Sequence, residues 1–366
     1  MKGLLRLVGF VLSLGTLISA GPTVSGDKVL PPISQGNLTI FPVVSQVTFD
    51  TSVFLTLDQG IRCGEVVVTE AGRIKGLVRP RATVNDGVWR ERPFPPITNL
   101  PQDGPRVNEL SLINNSNRPL LLLAGEIVTG GKQDRVVSKD RIIPAHSEPV
   151  ALGVFCVEPH RWTETSSNFN SLHSSMAQPS VRSQAMFARD QQQVWNQVAK
   201  SRMAVIDGLP HAAAAPLSAS SSYAAAMQSS AVQAELDTVV KPLEQSYASL
   251  IQKLRDAHAV GTVVAVNGEI IWADVFASSD LLNRFWPKLI RSYAAESFAH
   301  PMPVSSKSPA TEQQAQDFLD NLGATHETVD TEPGLYRNTE ISSPGYSAFV
   351  LTSLLPSSIS TCISPR

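Results

Sequence analysis

The stretch PLLLLAGEIVTGGKQDRVVSKDRIIPAHSEPVALGVFCVEPHRW, residues 119–162, decides how this chain is read. Its strand-like runs are short, at residues 120–123, 127–129, 135–138, 141–143 and 150–157, and each is bounded by Gly, Pro or Asp. Short strands at this density predict a β-rich unit, sandwich-like or barrel-like. The unbroken apolar run 120–123 predicts a strand buried on both faces. Clusters of charge stand between the runs, so several kinds of polar group are carried against backbone that has to be buried. A site is expected there.

Upstream, residues 38–44, 52–57, 65–69 and 107–113 carry β-branched and aromatic residues or alternate, and predict further strands. A short helix opens at Thr56-Leu57-Asp58, with Asp58 as its cap, and ends before Gly64. Residues 85–105 are rich in proline, follow neither period and predict a long loop.

Downstream the composition changes. Ser, Ala and Gln dominate residues 163–230, which favours helices and linkers. Within them a helix is predicted over 186–204, with Val194, Trp195 and Val198 on one face, and an exposed loop over 207–222. Leu236, Val239, Leu243, Tyr247, Leu250 and Leu254 recur at threes and fours and predict an amphipathic helix, kinked or restarted at Pro242. Residues 262–266 and 269–273 flank Asn267-Gly268, the pair that suits a type I′ hairpin turn. Next come a helix divided at Pro287, a helix capped by Thr311 with Gln314 and closed by Gly323, and a hairpin of 336–341 with 346–352. The fold class expected is α+β: a signal peptide over 1–20, a β-rich sandwich-like unit over 38–162, a helix and linker region over 163–230, and a helical, α+β unit over 231–355.

With 366 residues and 42% hydrophobic content, the chain can bury one large core or two ordinary ones. Its formal net charge is −2, which gives no electrostatic footprint for nucleic acid, so that partner is not expected. Lys2 and Arg6, the apolar run 7–18 and Ser19-Ala20-Gly21 have the order of a signal peptide. That predicts an exported, periplasmic or extracellular protein starting at Gly21, with an uncleaved anchor as the alternative. The run falls short of the roughly 20 residues a membrane span needs, and no membrane span is expected apart from the signal peptide. Cys63, Cys156 and Cys362 are an odd set with no CxxC pair, and His146, His160 and His173 match no ligand spacing. Neither a metal nor a cofactor is expected.

Gly125-Glu126 and Gly130 through Arg135 form the densest polar cluster. Adjacent glycines let backbone N–H groups approach a ligand, and Lys132 with Arg135 could hold a phosphate or carboxylate. The P-loop spacing is missing. The plainer reading is a glycine-turn hairpin with a solvated charged face. Cys156, which shares a face with Leu152 and Val154, reads better as a core residue than as a nucleophile, although His160 or Arg161 could supply a positive field. Glu158, Arg161 and Trp162 read equally as a binding edge or as a salt bridge beside a packed aromatic. Gln133 suits substrate hydrogen bonding or a buried network.

GEIVTGGKQDRVV, IIPA, VFCVEPHRW, VAVNGEIIWADVF and NRFWPKLIRSYAAES together resemble the ARG and rhodanese-phosphatase-superfamily-associated protein domain, a bacterial family without an assigned function. The resemblance spans residues 38–297 and implies an α+β fold. Its motif residues fall on Gly125, Glu126, Gly131, Lys132, Gln133, Arg135, Cys156, Glu158, Arg161 and Trp162. The family name implies a link to nucleotides or ADP-ribose. The chain departs from the pattern in Asp134, where Asn is expected, in its N-terminal signal and in its Ser/Ala-rich middle.

Three readings follow. The first is a binding or accessory module for an unknown small molecule or protein ligand, held by Gly131, Lys132, Gln133, Arg135, Arg161 and Trp162. The second is a hydrolase of a phosphate-containing or ADP-ribose-like molecule, with Glu126 or Glu158 as catalytic general base. The third is an interaction protein in which the motif residues knit the units together.

Overall fold

The computed structural model describes residues 6–14, 26–71, 82–85, 88–91, 108–254, 257–300, 308–321, 326–332, 334–343 and 345–355. Strands His258–Val266 and Glu269–Val275 pair antiparallel, and Asn267 and Gly268 between them take φ of 52° and 76°, the left-handed pair that a type I′ turn requires. Side chains alternate along the first strand: Val264 and Val266 enter one core, Val263 and Ala265 another. Leu38–Ser45 alternates in the same way and pairs antiparallel with His258–Val266 along its length. A strand read in sequence with the first unit thus completes the sheet of the last.

That sheet has nine strands, in the order His326–Glu332, Tyr336–Ser343, Tyr346–Ser353, Arg6–Leu14, Glu269–Val275, His258–Val266, Leu38–Ser45, Lys28–Val29, with Ile33–Gln35 also on Leu38–Ser45. Arg6–Leu14, which overlaps the apolar run offered as a signal-peptide core, runs parallel to both its neighbours. Helices Ser230–Ile251 and Ser279–Phe298 pack on one face, while Ala315, Phe318 and Leu319 of Glu312–Asp320 cover the other. Three smaller sheets lie in the β-rich part: a six-stranded one containing Arg135–Val137 and Val150–Cys156, a three-stranded one centred on Leu120–Leu122, and the two-stranded pair Ala82–Asn85 with Val88–Glu91. The first two share a core that includes Val68, Leu112, Leu122, Val137 and Val154. The fold class is α+β.

Several expectations change. Ser230–Ile251 and Ser279–Phe298 each run unbroken through the prolines at 242 and 287. An interior proline costs a helix about 3 kcal/mol, but the second helix buries Leu281, Leu282, Phe285, Leu289, Ile290 and Tyr293 on both sides of it, each contributing about 1.5–3 kcal/mol. Packing wins. Residues 207–222 hold a helix, His211–Ser218, with no buried residue, because a run of four alanines is the best helix former. The predicted helix over 186–204 is divided into a π-turn, Gln184–Ala188, then Arg189 at φ 50°, then Gln191–Asp207. The Thr311 and Gln314 capping box is present, and a second one joins Thr56 to Gln59. Thr56, not Asp58, is therefore the cap, and Asp58 is free to turn inward. Gly323, Cys362 and most of the predicted loop 85–105 lie outside the described residues. Among those described, no helix is long and apolar enough to cross a membrane.

Candidate functional site

The predicted residues divide into separate groups. Arg135–Val137 pairs with Val150–Cys156, with Arg135 opposite Cys156, so the GGKQDR turn comes over the CVEPHRW segment. Arg161 is the hub. Its guanidinium donates to the Gly131 carbonyl at 3.0 Å, the Thr163 carbonyl at 2.9 Å and Asp134 Oδ1 at 3.1 Å, and it pairs with Glu158 at 2.6 Å. Asp134 also accepts from Gly130 N and from Ser222 Oγ, while Glu158 accepts from Asp134 N and its carbonyl from Gln133 Nε2. Burial, and then Glu158 beside it, pushes the Asp134 carboxyl up. Ser222 opens the helix Tyr223–Gln228, so this clasp ties the β sheet to the helical region. Arg161→Ala is expected to lower the unfolding free energy by about 2–3 kcal/mol, since it strands two buried carboxylates; an unchanged urea midpoint would contradict the clasp.

Beneath the turn is a buried polar cluster. Glu70 Oε1 accepts from Lys132 N at 2.7 Å. Gly131 sits at φ 50°, where a Cβ would lie 2.3 Å from the Phe169 ring and 2.6 Å from Glu70 Oε1, so only glycine fits. Glu70, Gln133 and Arg135 are buried, yet Glu70 Oε2, Gln133 Oε1 and Arg135 Nε and Nη2 have no hydrogen-bond partner. Burial pushes the neighbouring Cys156 thiol up, which keeps it protonated, as a core cysteine should be. Cys63 and Cys156 are free thiols. Trp162 is 46% exposed, with the Lys132 ammonium 5.1 Å over its ring.

Glu126 lies apart from this group. It is wholly buried, and it accepts from Leu123 N at 3.0 Å and from Lys288 Nζ at 3.1 Å; Lys288 also reaches Asp58 at 2.7 Å. Burial opposes the charge on Lys288, but the two carboxylates outweigh it and hold the ammonium above its ordinary range. Glu126 and Glu158 therefore do not act on one centre. A second buried pair is bidentate: Arg182 Nη1 and Nη2 to Asp274 at 2.9 and 3.0 Å, neither side chain exposed. Trp272 Nε1 and Tyr293 Oη also donate to Asp274, and Arg182 Nε donates to the Ala124 carbonyl.

The Ala124 amide donates to Asp140 Oδ1 at 2.7 Å, and Asp140 Oδ2 has no partner. Asp140 lines a cavity of about 330 Å³. Asn338 Nδ2 donates to the Asp140 carbonyl at 3.1 Å. Phe155, Met186 and Phe349 form apolar walls, and the rim carries two ion pairs, Lys139 with Asp330 and Arg189 with Glu340. Met186 belongs to the π-turn, an insertion common beside functional sites, and Arg189 is its left-handed end. Burial pushes the Asp140 carboxyl up to about 7.

Sequence reading named none of Asp58, Asp140, Arg182, Asp274 and Lys288 as a site residue. The signal was there for two of them: Asp274 stands in the strand IIWADV, and Lys288 stands on the apolar stripe of its helix, and a charge in such a place needs a partner. Asp140 and Arg182 gave no such signal, because each is read locally as a polar turn or linker residue.

A family model described as "ARG and Rhodanese-Phosphatase-superfamily-associated Protein domain" matches residues 27–357. No curated protein and no solved structure matches the chain. The matched range includes the clasp, both buried ion pairs and the cavity, and the chain belongs to the ARG and Rhodanese-Phosphatase-superfamily-associated Protein domain family.

Proposed function

We propose that this chain is a ligand-binding module and that its site is the cavity beside Asp140. One observation carries the reading: a cavity of about 330 Å³ lined by Phe155, Met186 and Phe349, with Asp140, 1% exposed and with one oxygen unpartnered, among its lining residues. An unpartnered buried carboxyl is costly, and such groups cluster where a ligand or a reaction needs them. Small-molecule pockets run from roughly 300 to 1,000 Å³, and this cavity falls within that range, with Phe155, Ala185, Met186 and Phe349 as its apolar lining and polar or charged side chains around them. Melting temperatures of the parent and of Ser138→Phe, which fills the cavity from its rim, should be compared across a fragment library of amines, alcohols, carboxylic acids, nucleotides and sugar phosphates. Fragments that stabilise the parent and not the variant are expected; a library that stabilises both equally, or neither, removes the reading.

A second reading puts the ligand at the GGKQDR and CVEPHRW residues. The unpaired atoms of Glu70, Gln133 and Arg135 favour it, since they could take up ordered water, a carboxylate or a phosphate. Nucleotide and sugar phosphate shifts retained in a Lys132→Ala, Arg135→Ala double variant would remove it. The hydrolase alternative has less support, because Lys288 engages Glu126 and Arg161 engages Glu158. Turnover on phosphoester and glycosidic substrates that is unchanged in Glu126→Gln and Glu158→Gln would dismiss it.

Export is also part of the proposal, supported by the charged start, the apolar run and the small residues before Gly21. Cleavage there would remove Arg6–Leu14 and free the strand edges beside it. Intact mass of the protein from its native compartment tests this: a chain starting at Gly21 supports export, and one that keeps residues 1–20 opposes it.

A further inference from the structure

We infer that the chain, once cut before Gly21, carries a slot in its nine-stranded sheet that takes an extended apolar segment of another protein as a parallel strand. The inference rests on the export reading above and names the kind of partner that follows from it. Arg6–Leu14 lies between Tyr346–Ser353 and Glu269–Val275 and runs parallel to both. Each of these neighbours is paired on its other side, to Tyr336–Ser343 and to His258–Val266. Removing residues 1–20 therefore leaves two facing edges about 9.6 Å apart, two strand spacings, which is room for one strand.

Both walls of the slot are anchored independently of the strand between them. Glu269–Val275 is held through Asp274 by Arg182, which also donates to the Ala124 carbonyl. On the other side, Asn338 Nδ2 donates to the Asp140 carbonyl, Arg141 Nε donates to Tyr336 Oη, and Arg189 pairs with Glu340. Closing the gap would move one wall by a full strand spacing against these contacts. Open edges of this kind are where a sheet accepts a foreign strand.

The walls also set the chemistry of the occupant. Trp272, Phe349 and Leu351 belong to one core, and Ala273, Val275, Ala348 and Val350 to the other, so a strand between them is covered on both faces and has to be apolar throughout. Residues 7–12 satisfy that in sequence, but the register of Arg6–Leu14 is imperfect. Gly9 and Phe10 together stand against Phe349 alone, and among the described residues the register with Glu269–Val275 is met only by Val11 with Val275. A donor lacking the extra residue pairs without the bulge. A second copy cut at the same place has lost the same strand, so the donor is a different protein.

The probe is a synthetic peptide of residues 6–14 without Gly9, extended by two lysines for solubility. Its control is the same peptide with Val11→Pro, because a central strand does not hold proline. Both are added to the chain 21–366 and to the full chain. At about a hundredfold excess over its Kd the probe is expected to raise the melting temperature of 21–366 by about 4 °C. It should also slow amide exchange in Glu269–Val275 and Tyr346–Ser353, and leave the full chain, whose slot is filled, unmoved. The control should do neither. Where 21–366 does not fold alone, it is refolded with each peptide, and recovery with the probe but not the control supports the slot. A folded 21–366 that ignores the probe overturns the inference. So do equal responses to probe and control, a shift in the full chain as large as in 21–366, and a chain that neither peptide refolds. The intact mass judges export separately: a native chain that keeps residues 1–20 overturns the export reading and this inference with it, whereas a chain starting at Gly21 that fails the peptide test overturns this inference alone.

Discussion

Arg182→Ala should lower the unfolding free energy by about 3–5 kcal/mol, the loss typical of removing one partner from a buried ion pair. Arg182 and Asp274 are both without solvent exposure and share two hydrogen bonds. The alanine leaves Asp274 as a buried carboxylate with only Trp272 and Tyr293 donating to it. It also leaves the Ala124 carbonyl unpaired and removes the side chain stacked 4.5 Å from the Trp272 ring. Burial alone would weaken the charge on Arg182, but Asp274 outweighs it and holds the guanidinium ionised. Gly125 supports the same contact from the other side, since a Cβ there would lie 2.4 Å from the Arg182 side chain. Replacing both partners, Arg182→Met with Asp274→Leu, should cost less than Arg182→Ala alone, because no charge is stranded. Urea unfolding of the three proteins measures this. A loss under about 1 kcal/mol for Arg182→Ala would show that the pair is not what joins the helical layer to the sheet.

Asp140 predicts the second large effect. Burial pushes its folded carboxyl up to about 7 from an ordinary 3.8, so between those values the folded state holds a proton that the unfolded state has released. Stability contributed by this group is present at low pH and is lost as pH rises toward 7. The full difference is on the order of 4 kcal/mol, from 1.36 kcal/mol per pKa unit. Asp140→Asn removes the titration. Relative to the parent, the variant should therefore gain stability steadily from pH 4 to pH 7 and level off above. Only the difference between the two proteins carries the prediction, because the other carboxylates titrate equally in both. A constant difference across that range would mean that Asp140 is ionised at its ordinary pKa.

The parts of this fold that could be read from sequence are those decided by neighbouring residues. Asn267-Gly268 needs only its own φ values, and Thr311 with Gln314 needs only one helical turn. Sheet order was not legible, because Leu38–Ser45 finds His258–Val266 more than two hundred residues away. The prolines at 242 and 287 misled because local propensity was weighed without the packing that overrides it. The clasp was half legible: the pairing of Glu158 with Arg161 is local, whereas Ser222 comes from a distant element. The cavity could not be read at all. Asp140 is among its lining residues and lies within the decisive stretch, but Asn338, Glu340 and Phe349 line it from the last hairpin.

The central claim is that ligands enter beside Asp140 and not at the clasp, and methyl spectroscopy separates the two directly. Ala185 and Met186 line the cavity, whereas Ala226 and Met227 are buried in the helix that Ser222 ties to Asp134. Protein labelled at Ala and Met methyls should be titrated with pooled amine, alcohol and carboxylic acid fragments. The account predicts saturable shifts at Ala185 and Met186 with Ala226 and Met227 unmoved. Shifts confined to Ala226 and Met227 would contradict it.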